Sequence, residues 1–225
     1  MNKVIIITGS SRGIGAELAK TLAAKGAKIV VNYAGNKIAA DSVVSQIVNN
    51  GGEAIAVQAD VSNTADVKRL FAKTIDTYGH VDVLINNAGI AIYKLLKDTT
   101  DDDYNRIFDI NVKGVFNTMR EAATVLSEGG KIINFSSTTT RVMLPTYGAY
   151  SATKAAVDQL TRVFAKEVGD RRISVNCIAP GPVNTELFNQ GKSDEFISRL
   201  ASMSAFNRIG EPEDIAKIVL FLVSD

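Results

Sequence analysis

The sequence predicts an α/β fold in which helices cover both faces of one doubly wound parallel sheet. Short apolar runs alternate with amphipathic helical patterns six times, which is typical of strand–helix units in such sheets. The length of 225 residues suits a single domain, and 46% apolar residues suffice for a large core. Because no low-complexity linker interrupts the alternation, we expect residues 1–225 to form one domain.

Each expected strand is an apolar run bounded by glycine or polar residues. The first, residues 4–8, is apolar at consecutive positions, which indicates a strand buried on both faces. The other strands are expected at residues 27–33, 54–59, 81–85, 131–135 and 173–178.

Helical periodicity fills the intervals between these strands. Apolar positions three to four residues apart predict helices that end near Gly26, cover 38–50 and 65–78, run from 101 towards Gly129, and cover 155–168. A last helix is expected around Pro212, because proline is favoured in a first helical turn. Residues 186–206 are partly helical in pattern, and we expect this segment to act as a substrate lid.

Composition excludes several classes of function. The formal net charge of +1 gives no electrostatic reason to expect binding to nucleic acid or to a membrane surface. A single cysteine, Cys177, excludes an internal disulfide, and a single histidine, His80, excludes a histidine-rich centre, so we expect no metal. The N-terminal apolar run is too short for a signal peptide or a membrane span, which favours a cytoplasmic protein.

A glycine-rich turn follows the first strand and precedes a helix. Glycines let the backbone approach a phosphate closely, and the N-terminus of the following helix offers free N–H groups to it. This order predicts a site for the pyrophosphate of a dinucleotide rather than a turn needed only for packing. The expected contacts are Gly9, Ser11, Arg12, Gly13, Ile14 and Gly15.

The end of the second strand bears on the choice of cofactor. Folds that use NAD place an acidic residue there for the ribose hydroxyls, whereas this chain has Asn32 and Tyr33. Arg12 in the glycine loop is free to meet a 2′-phosphate, and a guanidinium group suits phosphate well. The sequence therefore predicts NADP(H) rather than NAD(H), unless Arg12 is only a solvated loop charge.

Polar or small residues also follow the third and fourth strands. Asp60 is expected to hold an adenine amine while Val61 covers the ring, or else Asp60 competes with Ser62 and Asn63 to cap the next helix. After the fourth strand, small residues let the backbone approach a ligand, or the asparagines satisfy buried groups at the sheet edge. These residues are Asn86, Asn87, Ala88 and Gly89.

A tyrosine and a lysine four residues apart open the helix that precedes the sixth strand. Tyr150 and Lys154 would lie one above the other and point into one site, although this spacing also arises by chance on exposed helices. A phenol has a pKa of about 10, and a nearby ammonium group lowers it towards the working pH. Such a pair can donate a proton to a carbonyl. Ser137 ends the fifth strand at the same edge, and Asn111, on an apolar helical face, needs a partner or a bend.

Together these motifs resemble the short-chain dehydrogenase/reductase family in its shorter Rossmann form. The match in order and spacing covers nearly the whole chain. Within the family, the chain is similar to bacterial 3-oxoacyl-carrier-protein reductases and to related glucose or small-ketone dehydrogenases. The matching motifs are the glycine loop, the 86–89 turn, Asn111, Ser137, Tyr150 with Lys154, and Pro180 with Gly181.

The resemblance implies an oxidoreductase that transfers a hydride between NADP(H) and a ketone or secondary alcohol. Tyr150 would be the acid or base, Lys154 would lower its pKa and hold the nicotinamide ribose, and Ser137 would hydrogen-bond the substrate oxygen. Asn111 would keep a bend in its helix and a water that feeds protons through Lys154. The nicotinamide and pyrophosphate end would be lined by Pro180, Gly181, Val183 and Thr185.

The resemblance also raises two alternatives and one departure. A 3-oxoacyl-carrier-protein reductase would want basic residues beside the pocket, for which Lys94, Lys97, Arg141 and Arg208 are candidates. A dinucleotide-binding regulator would need no complete catalytic set. Members of the family usually continue into a seventh strand, which this sequence lacks, so six strands are expected. Long helices with apolar positions on more than one face indicate a homo-oligomer, either a tetramer or a dimer.

Overall fold

A computed structural model describes residues 1–224, and within them it contains one parallel sheet of six strands. The strands are β1 (Val4–Ile7), β2 (Lys28–Tyr33), β3 (Glu53–Gln58), β4 (Val81–Asn86), β5 (Leu126–Phe135) and β6 (Ser174–Ile178). Their order is β3-β2-β1-β4-β5-β6, so the chain winds outward from β1 in both directions. This order is that of dinucleotide-binding α/β folds, which confirms the predicted fold class.

Helices cover both faces of the sheet. They are α1 (Gly13–Ala23), α2 (Lys37–Asn49), α3 (Thr64–Tyr78), α4 (Asp101–Phe108), α5 (Gly114–Val125), α6 (Gly148–Glu167), α7 (Glu186–Asn189), α8 (Asp194–Ser202) and α9 (Pro212–Val223). Helices α1, α2 and α9 pack on one face, and α3, α5 and α6 pack on the other. Among residues 1–224, no helix is both long enough and apolar enough to cross a bilayer.

Strand β1 lies at the centre of the sheet and explains its unbroken apolar run. Ile5 and Ile7 join the core beneath α1, α2 and α9, whereas Ile6 joins the core beneath α3, α5 and α6. Side chains alternate between the faces of a strand, so a strand covered on both sides needs an apolar residue at every position. All of these side chains are fully buried, as the sequence predicted.

The long helix expected after residue 101 is divided in two. Between α4 and α5, residues Asp109–Lys113 form a π-helical turn in which the N–H of Gly114 donates to the carbonyl of Asp109. A π-helical turn holds one more residue than an α-helical turn and is often found at functional sites. Asn111 lies inside this turn, so the expected irregularity at that residue is present.

Strand β5 begins earlier than the sequence predicted. The expected helix up to Gly129 ends at Val125, and Leu126 is already extended and pairs with Val81. The guanidinium of Arg171 donates hydrogen bonds to the carbonyls of Ala123 and Leu126, which satisfies the end of the helix. Gly129, with φ 72°, lies where the register of β4 and β5 shifts, so the strand continues through this irregularity.

Candidate active site

Hydrogen bonds and close contacts join the loops after β1 and β4 at the carboxyl edge of the sheet. The side-chain amide of Asn87 donates to the carbonyls of Thr8 and Gly9 at 2.9 and 3.0 Å. A Cβ at Gly9 would lie 2.8 Å from the Cα of Ala88, and one at Gly15 would lie 2.5 Å from the Nδ2 of Asn87. Only glycine fits at positions 9 and 15. Asn87 satisfies backbone carbonyls at the sheet edge, which was one of the two interpretations of this residue.

Asn32 supports the glycine loop from the side of β2. Its carbonyl oxygen accepts the N–H of Gly9 at 3.1 Å, and its amide nitrogen donates to the carbonyls of Val57 and Ala59. The side chain is 1% exposed, and the neighbouring Tyr33 is 6% exposed. Asn32 therefore positions the loop through bonds within the protein, and its contact with a cofactor stays a prediction.

Helix α1 begins with free N–H groups beside the loop that follows β6. Within residues 1–224, no side chain caps this helix, and Gly13 adopts a φ of 55°. A Cβ at Gly13 would lie 3.5 Å from the Cγ2 of Thr185, which itself caps α7 by accepting the N–H of Phe188. Free N–H groups at a helix N-terminus attract anions, so this corner suits a phosphate.

Arg12 is not free, contrary to the expectation from sequence. Its Nη1 lies 3.0 Å from the Oε2 of Glu186, and the two side chains are 65% and 71% exposed. The ion pair joins the glycine loop to the first residue of α7. Exposed pairs of this kind are weak, so a phosphate could compete for the guanidinium.

Asp60 and Val61 follow β3 and have different environments. Asp60 is exposed, and its Oδ1 accepts hydrogen bonds from the N–H and hydroxyl of Ser62. Asn63 caps α3, because its side chain accepts the N–H groups of Ala65 and Asp66. The interpretation of Asp60 as the cap is therefore wrong. Val61 is buried, with its Cγ2 2.6 Å from where a Cβ at Gly114 would lie.

Tyr150 and Ser137 meet where α6 begins and β5 has just ended. Burial raises the pKa of the Tyr150 phenol to about 12, while a hydrogen bond with Ser137 opposes that increase. Ser137 is 7% exposed, and its hydroxyl accepts the N–H of Thr139 at 3.2 Å. The sequence-based expectation of a lowered phenol pKa is wrong for this arrangement, because burial outweighs the other effects.

Lys154 lies one helical turn after Tyr150, as predicted, and is 6% exposed. Its Nζ donates to the carbonyl of Phe135 at 2.8 Å and lies 5.7 Å from the centroid of the Tyr150 ring. Burial lowers the pKa of this ammonium to about 8, against the opposing influence of Cys177 and Asp158. A buried lysine with a lowered pKa and few partners is typical of a functional position.

Asn111, in the π-helical turn, connects the loop after β4 to the start of α6 through hydrogen bonds. Its carbonyl oxygen accepts the N–H of Ile90 at 2.9 Å, and its amide nitrogen donates to the carbonyl of Ile90 and to the Oγ1 of Thr153. The hydroxyl of Thr153 donates in turn to the carbonyl of Tyr150 at 2.7 Å. A Cβ at Gly89 would lie 3.2 Å from the Oδ1 of Asn111 and 3.7 Å from the Nζ of Lys154.

The remaining predicted residues line the loop after β6. The carbonyl of Pro180 accepts the N–H of Thr138 at 3.0 Å, which ties this loop to the segment after Ser137. Gly181 is exposed, whereas Val183 is buried and pairs with Gly210. The predicted site residues thus lie at the carboxyl end of β2, in the loops after the other five strands, in the π-helical turn and at the start of α6.

An aromatic cluster beside Tyr150 was missed by the sequence reasoning. The rings of Tyr93 and Tyr147 have centroids 4.6 Å apart, and both lie within 6.5 Å of the Tyr150 ring. From the segment 186–206, Lys192 places its Nζ 4.0 Å from the centroid of Tyr93 and 4.7 Å from that of Phe188. Tyr147 lies three residues before Tyr150, so helical spacing offered a signal for it. Nothing local marked Tyr93 or Lys192.

Comparison with known proteins identifies the family of this chain. A family model described as enoyl-(acyl carrier protein) reductase matches residues 9–225. A short-chain type dehydrogenase/reductase of Picea abies is 43% identical over 99% of this chain and 86% of its own length. The chain belongs to the short-chain dehydrogenase/reductase family. The family identification made from the motifs is therefore confirmed.

Further relatives of this short-chain dehydrogenase/reductase include named reductases. Versicolorin reductase of Emericella nidulans is 40% identical over 99% of this chain and 89% of its own length. A short-chain dehydrogenase from Burkholderia cenocepacia, solved in complex with NADP, has a TM-score of 0.93 and 35% identity, over 100% of this chain and 91% of that one. This protein is an oxidoreductase of the same family.

Proposed function

We propose that this short-chain dehydrogenase/reductase transfers a hydride between NADP(H) and a ketone or secondary alcohol, with Tyr150 as the acid or base. The observation that carries the proposal is the Tyr150 phenol, which is partly buried, interacts with Ser137 and is followed one turn later by Lys154. Asn111 holds this turn through Thr153. A complete set of this kind in one place favours an enzyme over a dinucleotide-binding regulator.

The residues at the glycine loop fit a dinucleotide. At Gly9 and Gly15 the close contacts are with Ala88 and Asn87 of the protein itself. The support for a pyrophosphate comes from α1, whose first N–H groups have no side-chain cap within residues 1–224. Pro180, Gly181, Val183 and Thr185 would face the nicotinamide and pyrophosphate end, and Asp60 and Val61 would face the adenine. The small residues Ala88 and Gly89 would let the backbone approach the cofactor.

Several features support NADP(H) over NAD(H). No carboxylate follows β2 where an NAD ribose would need one, since the chain continues from Tyr33 through Ala34. Arg12 in the glycine loop, paired with Glu186 at 3.0 Å, and Lys37 at the start of α2, paired with Asp41 at 2.5 Å, are cations that a 2′-phosphate could recruit. The Burkholderia cenocepacia relative was solved with NADP bound.

The chain's own groups account for the proton movements. NADPH, when bound, supplies the hydride in reduction, and NADP⁺ accepts it in oxidation. During reduction, the Tyr150 hydroxyl donates its proton to the substrate oxygen, while the Ser137 hydroxyl hydrogen-bonds that same oxygen. The ammonium of Lys154 stabilises the phenolate that remains and would hold the ribose hydroxyls. In oxidation the same proton returns to Tyr150.

The carrier-protein alternative loses support from the surface charges. Lys94 pairs with Asp103 at 2.5 Å, Lys97 with Asp98 at 3.7 Å, and Arg208 with Asp214 at 2.7 Å. Of the four candidates, Arg141 alone is exposed without an ion pair in the described part of the chain, so one unpaired cation is left to meet an acidic carrier. We therefore favour a small carbonyl substrate over a thioester presented on a carrier protein.

We also propose that the enzyme is a homo-oligomer. Tyr104 on α4, Phe116 on α5 and Val163 on α6 are 50%, 45% and 48% exposed. Large apolar side chains on neighbouring helices are typical of a surface that another subunit covers.

The deciding experiment follows NADPH oxidation by absorbance with a panel of ketones, sugars and acetoacetyl thioesters. We expect turnover of simple ketones and a lower kcat/KM with NADH. Absence of turnover on every carbonyl, with NADPH still binding, would contradict the proposed activity and favour a regulator. Turnover of the thioesters alone would favour the carrier-protein alternative.

A further inference from the structure

Lys192 occupies an unusual position in the segment that follows β6. Its Nζ lies 4.0 Å from the centroid of Tyr93 and 4.7 Å from that of Phe188, and it donates a hydrogen bond of 2.6 Å to the carbonyl of Phe188. An ammonium within about 6 Å of a ring centroid is attracted to the ring face. Three contacts therefore fix this cation against the protein instead of leaving it in solvent.

The charge of Lys192 has no acidic partner. Within residues 1–224, no carboxylate oxygen lies within 4.0 Å of its Nζ, and burial alone lowers the pKa of its ammonium. An ammonium has three N–H donors, and one of them is used by Phe188. The other two donors have no hydrogen bond within residues 1–224 and can bind a ligand or water.

The ring beneath Lys192 belongs to the wall of the active site. Tyr93 packs against Tyr147, with ring centroids 4.6 Å apart, and its centroid lies 6.5 Å from that of Tyr150. Lys192 is thus separated by a single aromatic ring from the proposed proton donor. A substrate whose carbonyl reaches Tyr150 would extend along Tyr93 towards the ammonium.

We propose that Lys192 is a specificity-determining residue that binds a carboxylate of the substrate, a few bonds from the ketone that Tyr150 protonates. This inference rests on the proposed function and adds to it the class of substrate, a keto acid. The aromatic rings of Tyr93 and Tyr147 pack against the carbon skeleton between the two polar ends. A lysine that only fastened the lid to Tyr93 would give no preference between acidic and neutral substrates.

The test compares two matched pairs, 3-acetylbenzoate with its methyl ester and levulinate with its methyl ester. For the wild-type enzyme, we expect a higher kcat/KM for each acid. Lys192→Met should reduce kcat/KM for the acids on the order of tenfold or more, as expected for a hydrogen bond to a charged group, and change that for the esters little. Lys192→Arg, which keeps the charge, should retain most of the preference.

Two outcomes would overturn the inference. If Lys192→Met lowers kcat/KM equally for the acid and the ester, Lys192 only holds the 186–206 segment against Tyr93. If the preference for the acid is unchanged, Lys192 does not contact the substrate. Lys166→Met, an exposed lysine in the last turn of α6, serves as the matched control and should leave both substrates unaffected.

Calorimetric binding of the same acids and esters separates this inference from the proposed function. If the wild type binds the acid more tightly than the ester, and Lys192→Met removes that difference, the inference stands whether or not the compounds are turned over. Equal binding of acid and ester by the wild type would overturn it, even if both are reduced.

Discussion

The ammonium of Lys154 donates a hydrogen bond of 2.8 Å to the main-chain carbonyl of Phe135, the last residue of β5. The next residue, Ser136, donates from its hydroxyl to the carbonyl of Lys154 at 3.2 Å. Helix α6 and the end of β5 are therefore joined by two bonds in opposite directions. This double connection fixes Ser137, the next residue of the chain, relative to Tyr150.

Because Lys154 is buried, its ionisation should make the free energy of unfolding depend on pH. Its pKa falls from 10.5 to about 8 in the folded protein, so the unfolded chain binds more protons between these values. The contribution of Lys154 to the free energy of unfolding therefore rises with pH across this window. Urea unfolding from pH 7 to 10.5 should show the wild type gaining stability relative to Lys154→Met as pH rises.

The exposed Lys166 provides the control for this measurement. Lys166→Met should shift the unfolding free energy by a similar amount at every pH in the window. A constant difference between the wild type and Lys154→Met would mean that the ammonium of Lys154 titrates normally.

Removing the Tyr150 hydroxyl should separate chemistry from cofactor binding. Tyr150→Phe keeps the ring and its packing against Tyr93 and Tyr147, so NADPH should still bind. Turnover should fall towards the upper part of the range of about 10²–10⁴-fold that general acid–base groups contribute, because the hydroxyl also orients the substrate oxygen. Tyr147→Phe removes a neighbouring hydroxyl and should cost much less. Near-normal turnover of Tyr150→Phe would falsify the assignment.

A substitution at Thr153 tests the hydrogen-bonded connection between Asn111 and Tyr150. Thr153→Val keeps the shape of the side chain but removes the hydroxyl that accepts from Asn111 and donates to the carbonyl of Tyr150. We expect a loss of about 1–3 kcal/mol in unfolding free energy, since a buried donor loses its partner, together with a lower kcat. Thr124→Val removes a similar bond, to the carbonyl of Glu121, at an exposed site. Similar effects in the two variants would show that the Asn111 contact adds nothing.

The fold and the proximity of the candidate site residues could be predicted from sequence because both depend on local patterns. Each strand of the sheet is a short apolar run, and each polar loop follows a strand, so parallel pairing alone gathers the loops at one edge. Tyr150 and Lys154 needed only helical spacing to meet. The wrong expectation for the Tyr150 pKa came from judging charge without burial, which depends on how the whole site packs.

Arg12 should control the choice between the two nicotinamide cofactors. Arg12→Glu places a negative charge near the 2′-phosphate and should raise KM for NADPH far more than for NADH. Glu186→Gln frees the guanidinium from its ion pair at 3.0 Å and should leave NADPH binding intact or tighten it. Equal losses with both cofactors in Arg12→Glu would mean that the residue only shapes the glycine loop.

The oligomeric state is open to a direct measurement. Sedimentation should show a dimer or a tetramer, because the apolar residues on α4, α5 and α6 need a partner surface. Phe116→Glu should weaken the assembly by placing a charge in the contact, whereas Phe221→Glu on α9 serves as a comparison at another exposed position. A stable and active monomer of the wild type would exclude the proposal.

Distant contacts explain what sequence reasoning missed. The Arg12–Glu186 pair joins residues 174 positions apart, and the Lys192–Tyr93 contact joins two loops that no periodicity relates. Both involve residues 186–206, whose pattern showed partial helix but not the direction in which it would lie. The early start of β5 likewise depended on Arg171, which reaches back to the end of α5.

The π-helical turn at Asp109–Lys113 changes the rotational phase of the side chains between α4 and α5. Successive side chains of an α-helix are rotated by about 100° around its axis. One additional residue in the π-helical turn therefore rotates the side chains of α4 relative to those of α5. Deleting a single residue from the turn would leave a continuous helix in which α4 is rotated against α5. Ile107 would then leave the core that it now fills, and Asn111 would turn away from Ile90. The one additional residue of the π-helical turn therefore determines which side chains of α4 and which side chains of α5 are buried.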